Sequence, residues 1–166
     1  MFSLNEYVVY GHGDICQITE IKVPEFIKTG EEYYFLHSMI NKGSLIYVNI
    51  VKPQKNMRPV ILEGYALDAI NKIPDLDLIY EPNDKLRDKE YLNIINTGDF
   101  VECLKCFKGL CDAKKRRVES GLKLNMLDEK NYKKFSSMII TELNLALDKS
   151  QSIIKNMLAS EGLYVS

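Results

Sequence analysis

Asn5–Tyr10 reads NEYVVY and runs into Gly11-His12-Gly13. After it come Glu31–His37 (EEYYFLH), the tight-turn sequence Asn41-Lys42-Gly43-Ser44, and Leu45–Val51 (LIYVNIV). Tyr, Val, Ile and Phe crowd these short runs, and turn residues separate them. Such residues fit a pleated, half-buried surface. The spacing predicts strands at Tyr7–Tyr10, Ile15–Ile21, Tyr33–His37 and Leu45–Val51. Gly43 supplies the positive φ that the hairpin turn requires. A small β-barrel built this way is a docking module, with little room for a catalytic pocket.

Outward from this stretch the pattern changes. Pro53 and Pro59 mark the exit, and after Asn56–Ile61 (NMRPVI) the apolar period moves from two to about 3.6. Leu62–Ile73 reads as a short helix stopped by Pro74, and Asp75–Pro82 as a connector. Asn83 or Asp84 caps a helix that runs to about Asn96. Thr97-Gly98-Asp99 ends it and starts the next, with Asp99 and Glu102 spaced as a capping box. That helix carries an apolar stripe of Phe100, Cys103, Leu104, Phe107, Leu110 and Cys111. Gly109 weakens it slightly and Gly121 ends it. A further helix spans about Leu127–Leu147, with Tyr132, Phe135, Ile139, Leu143 and Ala146 inward. Asp148 is expected to cap the last helix, which buries Ile153, Ile154, Met157 and Leu158. The expected fold class is therefore α+β: a β-barrel over residues 1–58, then an all-α compact helical bundle over 59–166.

Composition narrows the function. The 166 residues are 46% hydrophobic and 27% charged, with a net charge of −1. No run approaches the ~20 apolar residues of a membrane span. The start MFSLNEYVVY lacks the basic and apolar regions of a secretory signal. A cytoplasmic location with four reduced cysteines is expected. Residues 105–134 hold ten Lys/Arg against four acids, whereas residues 1–97 hold ten against fourteen. A basic block of this kind fits a local anionic partner, or simply a solvated helix face.

The chemical motifs are sparse. Gly11-His12-Gly13 is neither a P-loop nor a dinucleotide fingerprint, and reads as turn chemistry. Cys103-x-x-Cys106 with Cys111 invites a zinc reading, but a structural site needs four ligands. Only Cys16, His12 and His37 are left to complete it, all in the β region. Cysteines in a helical stripe behave as small hydrophobes, so no metal and no cofactor is expected. Nothing assembles an acid, a base and a pocket, so no catalytic residue is assigned and an enzyme is not expected. Lys114-Lys115-Arg116-Arg117 is the sharpest charge cluster. Four successive residues surround a helix, so two or three of them, with Lys123, are available to phosphates at once.

Taken in order, these segments resemble the CarD/CdnL family of bacterial transcription regulators. The first domain also resembles the polymerase-interacting domain of the transcription-repair coupling factor. The family's "GDxVVYPxHG" corresponds to Asn5–Gly13 without the proline, and its "EYYVL" to Glu32–Leu36. Its "GLRPVI" corresponds to Asn56–Ile61 and its "SGD" to Thr97-Gly98-Asp99. Its "RR…E-x-GL" matches Arg116 to Leu122, followed by Glu129-Lys130. The resemblance implies a Tudor-like barrel whose edge strand pairs with the RNA polymerase β subunit. It also implies a helical domain that touches promoter DNA and stabilises the open complex. The polymerase contacts would fall on Val23, Pro24, Phe26, Tyr47, Val48 and Asn49. Of the family's basic DNA-side residues Arg87 and Lys89 are retained, and the charge cluster adds Lys114, Lys115, Arg116, Arg117 and Lys123 as expected DNA contacts. No small-molecule substrate and no membrane partner is implied. Two departures stand out. The family's wedge Trp falls at Asp84, in a chain with no Trp, and an arginine it uses against the polymerase falls near Pro24. They favour polymerase docking over wedge-type DNA contact. The alternatives are an adaptor of the same fold without productive DNA contact and, from a different class, a thiol- or zinc-dependent enzyme.

Overall fold

The aromatic and β-branched runs form strands, as their composition requires. In the computed structural model, which describes residues 1–52 and 57–166, they are β1 (Tyr7–Tyr10), β2 (Asp14–Lys22), β3 (Tyr33–Ser38), β4 (Leu45–Asn49) and β5 (Met57–Pro59). All pairings are antiparallel, in the order β4-β3-β2-β1-β5. Val8, Cys16, Ile18, Tyr34, Leu36 and Val48 form the core of this sheet. The register shifts between Ile18 and Glu20, and the extra residue Thr19 donates its hydroxyl to the Phe35 carbonyl at 3.3 Å. The β3–β4 turn closes through Ser44 N–H to the Asn41 carbonyl at 3.0 Å, with Gly43 at φ +87°.

The α+β class holds, and among the described residues the sheet is open where a closed barrel was expected. A barrel needs its two edge strands to join in a continuous ladder. Here β4 and β5 are the edges, and no ladder joins them among the described residues. β5 is three residues long and ends in Pro59, which has no N–H to donate. The sequence pattern did not mark it as a strand. Pro53 and Asn56, read above as part of the exit, lie outside the described residues.

The helical elements are α1 (Glu63–Asn71), a 3-10 turn at Ile73–Asp75, α2 (Asp84–Thr97), α3 (Phe100–Glu119), α4 (Met126–Leu147) and α5 (Gln151–Ser160). Asn83 caps α2 by accepting from Leu86 N–H, and Gly98 ends it at φ +71°. Asp99 caps α3 by accepting from Glu102 N–H at 3.0 Å. The reciprocal half of the capping box is not made: Asp99 N–H goes to the Thr97 hydroxyl, and the Glu102 carboxylate pairs with Lys105. Asp148 is not the N-cap of α5. It closes α4 in the left-handed conformation, φ +49°, and Ser150 caps α5 instead. In α5 Ile154 and Leu158 are buried and Met157 packs on the core, but Ile153 is exposed.

Gly109 is more than a weak point in α3. A Cβ there would lie 2.4 Å from the Ile79 carbonyl oxygen, so its absence lets the connector cross the helix. That crossing is held by Ile79 N–H to the Lys105 carbonyl at 3.3 Å and by Tyr91 Oη to the Ile79 carbonyl at 2.8 Å. Lys108 Nζ donates to the Ile73 and Leu76 carbonyls, each at 2.7 Å.

The chain divides into two units, Met1–Val60 and Ile61–Ser166. The pairing of β5 with β1 draws Arg58 and Pro59 into the first unit. No helix among the described residues is long and apolar enough to cross a membrane.

Candidate functional site

Two surfaces carry the residues singled out by the sequence. The first is the β4 edge of the sheet. Ser38 N–H donates to the Ser44 carbonyl and Ile50 N–H to the Glu32 carbonyl. In an antiparallel ladder hydrogen-bonded and non-hydrogen-bonded pairs alternate. With Tyr34 opposite Val48 and Leu36 opposite Ile46, those two β4 residues turn their backbone groups inward to β3. Leu45 and Tyr47 therefore turn theirs outward, to the open edge. The same parity applies to β5. Val60 N–H donates to the Tyr7 carbonyl, so the backbone of Arg58 faces β1 and that of Pro59 faces away. The ladder loses nothing at Pro59, while that edge loses a donor. β5 is thus a blunted edge and β4 a receptive one.

The side chains sort the expected contact residues into two groups. Val23, Phe26 and Tyr47 are exposed. Ile27 N–H bonds back to the Pro24 carbonyl at 3.1 Å, and this turn presents Phe26 edge-on to Tyr47, 5.0 Å between ring centres. Tyr47 also meets Phe35 at 4.8 Å, and the Lys22 ammonium sits 4.9 Å from the Phe35 ring centre. Pro24, Val48 and Asn49 are buried, which corrects their reading as surface contacts. Val48 belongs to the core. The Asn49 side chain accepts from Val51 N–H and Lys52 N–H and donates to Glu31, shaping the end of the strand.

The second surface is the basic end of α3. Arg87 does not belong to it. Its guanidinium is 1% exposed. Nε and Nη2 bond Asp128 at 2.7–2.9 Å, Nη2 also bonds Asp84 at 2.7 Å, and Nη1 bonds the Glu81 carbonyl at 2.7 Å. Tyr80 stacks beneath it at 4.2 Å and donates its hydroxyl to Asp128. Burial, then the Asp128 hydrogen bond, pushes the Tyr80 phenol up to about 12. Every polar edge of Arg87 is engaged in joining the connector, α2 and α4, so no phosphate can reach it.

The other cations divide in two. Lys114 is half-buried, with Nζ 2.7 Å from the Ser166 hydroxyl and 4.1 Å from the Tyr132 ring centre. Arg116 pairs with Asp112 at 3.0 Å while remaining 62% exposed. Lys89, Lys115, Arg117 and Lys123 are exposed. The structure therefore leaves a smaller cationic set, centred on the last turns of α3 and the following loop.

Cys103 and Cys106 lie in the helical core and Cys16 in that of the sheet. Burial pushes the Cys16 and Cys111 thiols up to about 12 and raises Cys106 well above its ordinary value. Among the described residues, no three His, Cys, Asp or Glu side chains come together to hold a metal. Cys16, Cys106 and Cys111 are therefore protonated, weakly nucleophilic thiols.

Sequence reading missed two features. The outward parity of Tyr47 follows from the turn register, which strand composition does not encode. The Arg87–Asp128 pair joins residues 41 apart, with no local signal. No protein-family model and no curated protein matches the chain.

Proposed function

We propose that this chain is a CarD-like regulator that docks on the β subunit of bacterial RNA polymerase and modulates the stability of the open promoter complex. The observation that carries the reading is the β4 edge. Outward backbone groups at Leu45 and Tyr47 lie beside the exposed rings of Phe26 and Tyr47, and the opposite edge is blunted by Pro59. Main-chain pairing supplies affinity at such an edge, and neighbouring side chains supply choice. The ordered motifs from Asn5 to Lys130 support the same reading, with the open sheet as an incomplete Tudor-like barrel. The protein works in the cytoplasm, without catalysis.

A pull-down on the isolated polymerase β lobe tests this. Tyr47→Pro removes an outward donor, whereas Tyr47→Ala removes only the ring. Loss of at least about tenfold in affinity with Tyr47→Pro is expected, since the partner's carbonyl is left unpaired. Full-strength binding by a folded Tyr47→Pro variant would overturn the docking edge.

The burial of Arg87 and its bond to Asp84 favour a second reading, an adaptor that docks without engaging DNA. The wedge position Asp84 and the expected contact Arg87 are occupied with each other. An open-complex lifetime unchanged by the wild-type protein, with β-lobe binding intact, selects the adaptor.

A further inference from the structure

Beside the basic end of α3 lies a groove of about 610 Å³. One wall is α3 itself, through Cys111, Lys114, Lys115 and Val118; the connector adds Leu78, and the segment after α5 adds Tyr164. Tyr164 is 72% exposed, and Leu78 and Val118 are also exposed. A soluble surface holds such an open ring and two aliphatic side chains side by side at a cost, and a planar occupant would relieve it. The charges select the occupant. Lys108, Lys114 and Lys115 line the groove against Asp112 and Glu119, and Asp112 is already paired with Arg116. Lys115 stands exposed in the groove wall.

We infer that this groove takes one or two unstacked nucleotides of single-stranded DNA, with a base laid on Tyr164 and phosphates on Lys115 and its neighbours. This rests on the reading of the helical unit as DNA-facing. A base face is available only in a melted strand, because a duplex offers base edges within its grooves. An aromatic ring beside a cationic track binds single strands with little regard to sequence. An acidic peptide would match the lysines equally well, but it has no use for an exposed flat ring.

The test uses the full chain without polymerase, so it stands or falls independently of β-lobe docking. A fluorescein-labelled oligo-dT of about 15 nucleotides and a duplex of equal length are titrated by anisotropy at about 50 and 200 mM salt. The single strand should bind more tightly than the duplex. Tyr164→Ala should weaken single-strand binding by about tenfold and leave the duplex unchanged. Tyr164→Phe should retain binding, because stacking needs only the ring. Lys115→Ala should lower the salt slope by about 0.7. The inference is overturned if the single strand binds no better than the duplex, or if Tyr164→Ala binds it normally. It is equally overturned if polyglutamate of matched charge displaces the oligonucleotide as effectively as unlabelled oligo-dT, since that marks an acidic-peptide groove.

Discussion

At Arg87 a charged side chain is almost fully enclosed, and its value to the fold lies in its partners. Removing one member of a buried pair leaves the other charge uncompensated, which costs about 3–5 kcal/mol. Arg87→Leu should lower unfolding stability by that order in urea denaturation, with Asp128 stranded. Arg87→Lys should recover only part of it, because an ammonium cannot make the two-pronged contact. Gly109 tests the sign of a familiar rule. Gly→Ala inside a helix ordinarily stabilises by about 1 kcal/mol. Here the new methyl would meet the Ile79 oxygen at 2.4 Å, and a backbone oxygen cannot swing aside. Gly109→Ala should destabilise by about 1–3 kcal/mol, as overpacking does. The buried thiols add a pH dependence. Cys16 and Cys111 are raised from 9.0 to about 12, so between these values the unfolded chain has lost protons that the folded chain keeps. Stability from these groups is complete below pH 9.0 and falls as pH rises toward about 12. Unfolding followed across that range should show the loss, and replacing both cysteines by Ala should reduce it, with the remainder carried by Cys106, Tyr80 and Tyr91.

Among the elements, β4 decides between two proline substitutions. Val48 turns its N–H inward to β3 and its side chain into the core. Val48→Pro should therefore destabilise the sheet by removing a ladder hydrogen bond, whereas Tyr47→Pro leaves the inward ladder bonds in place and should cost less. Chemical denaturation followed by far-UV circular dichroism checks the order. A strand position was legible from Tyr47-Val48 in the sequence; its inward or outward parity was not. Parity is set by how the Asn41–Ser44 turn closes, a matter of geometry downstream of composition. The caps at Asn83 and Asp99 were legible because capping is local chemistry between residues three apart. Asp148 was misread for the same reason: Asp and Ser150 both suit a cap, and only the left-handed φ at Asp148 separates the end of one helix from the start of the next. β5 was missed because three residues containing a proline carry no strand signal. The connector looked like a plain linker, since the bonds that pin it come from Lys105, Lys108 and Tyr91, far along the chain.

For the whole molecule, the uneven charge was visible in the sequence, but how much of it faces outward was not. Of the cations expected to meet DNA, Arg87 turns inward, Lys114 is half-buried and Arg116 is paired with Asp112, leaving Lys89, Lys115, Arg117 and Lys123 exposed outside these contacts. Binding to free duplex should then be weak and steeply salt-dependent, through counterion release. Changing Lys115, Arg117 and Lys123 to Gln together should lower the slope of log affinity against log salt by up to roughly 3. Arg87→Lys should leave that slope unchanged, which separates surface cations from the enclosed one. Docking through β4 would convert this weak contact into an intramolecular one at high effective concentration. The two sheet edges bear on assembly as well. A strand ladder grows into a fibre only if each member both receives a neighbour and offers a second side to the next. With Pro59 facing out from β5, this sheet offers two unequal sides. A guest strand on β4 would leave only the poorer side for the next, so chain growth by strand addition should be self-limiting.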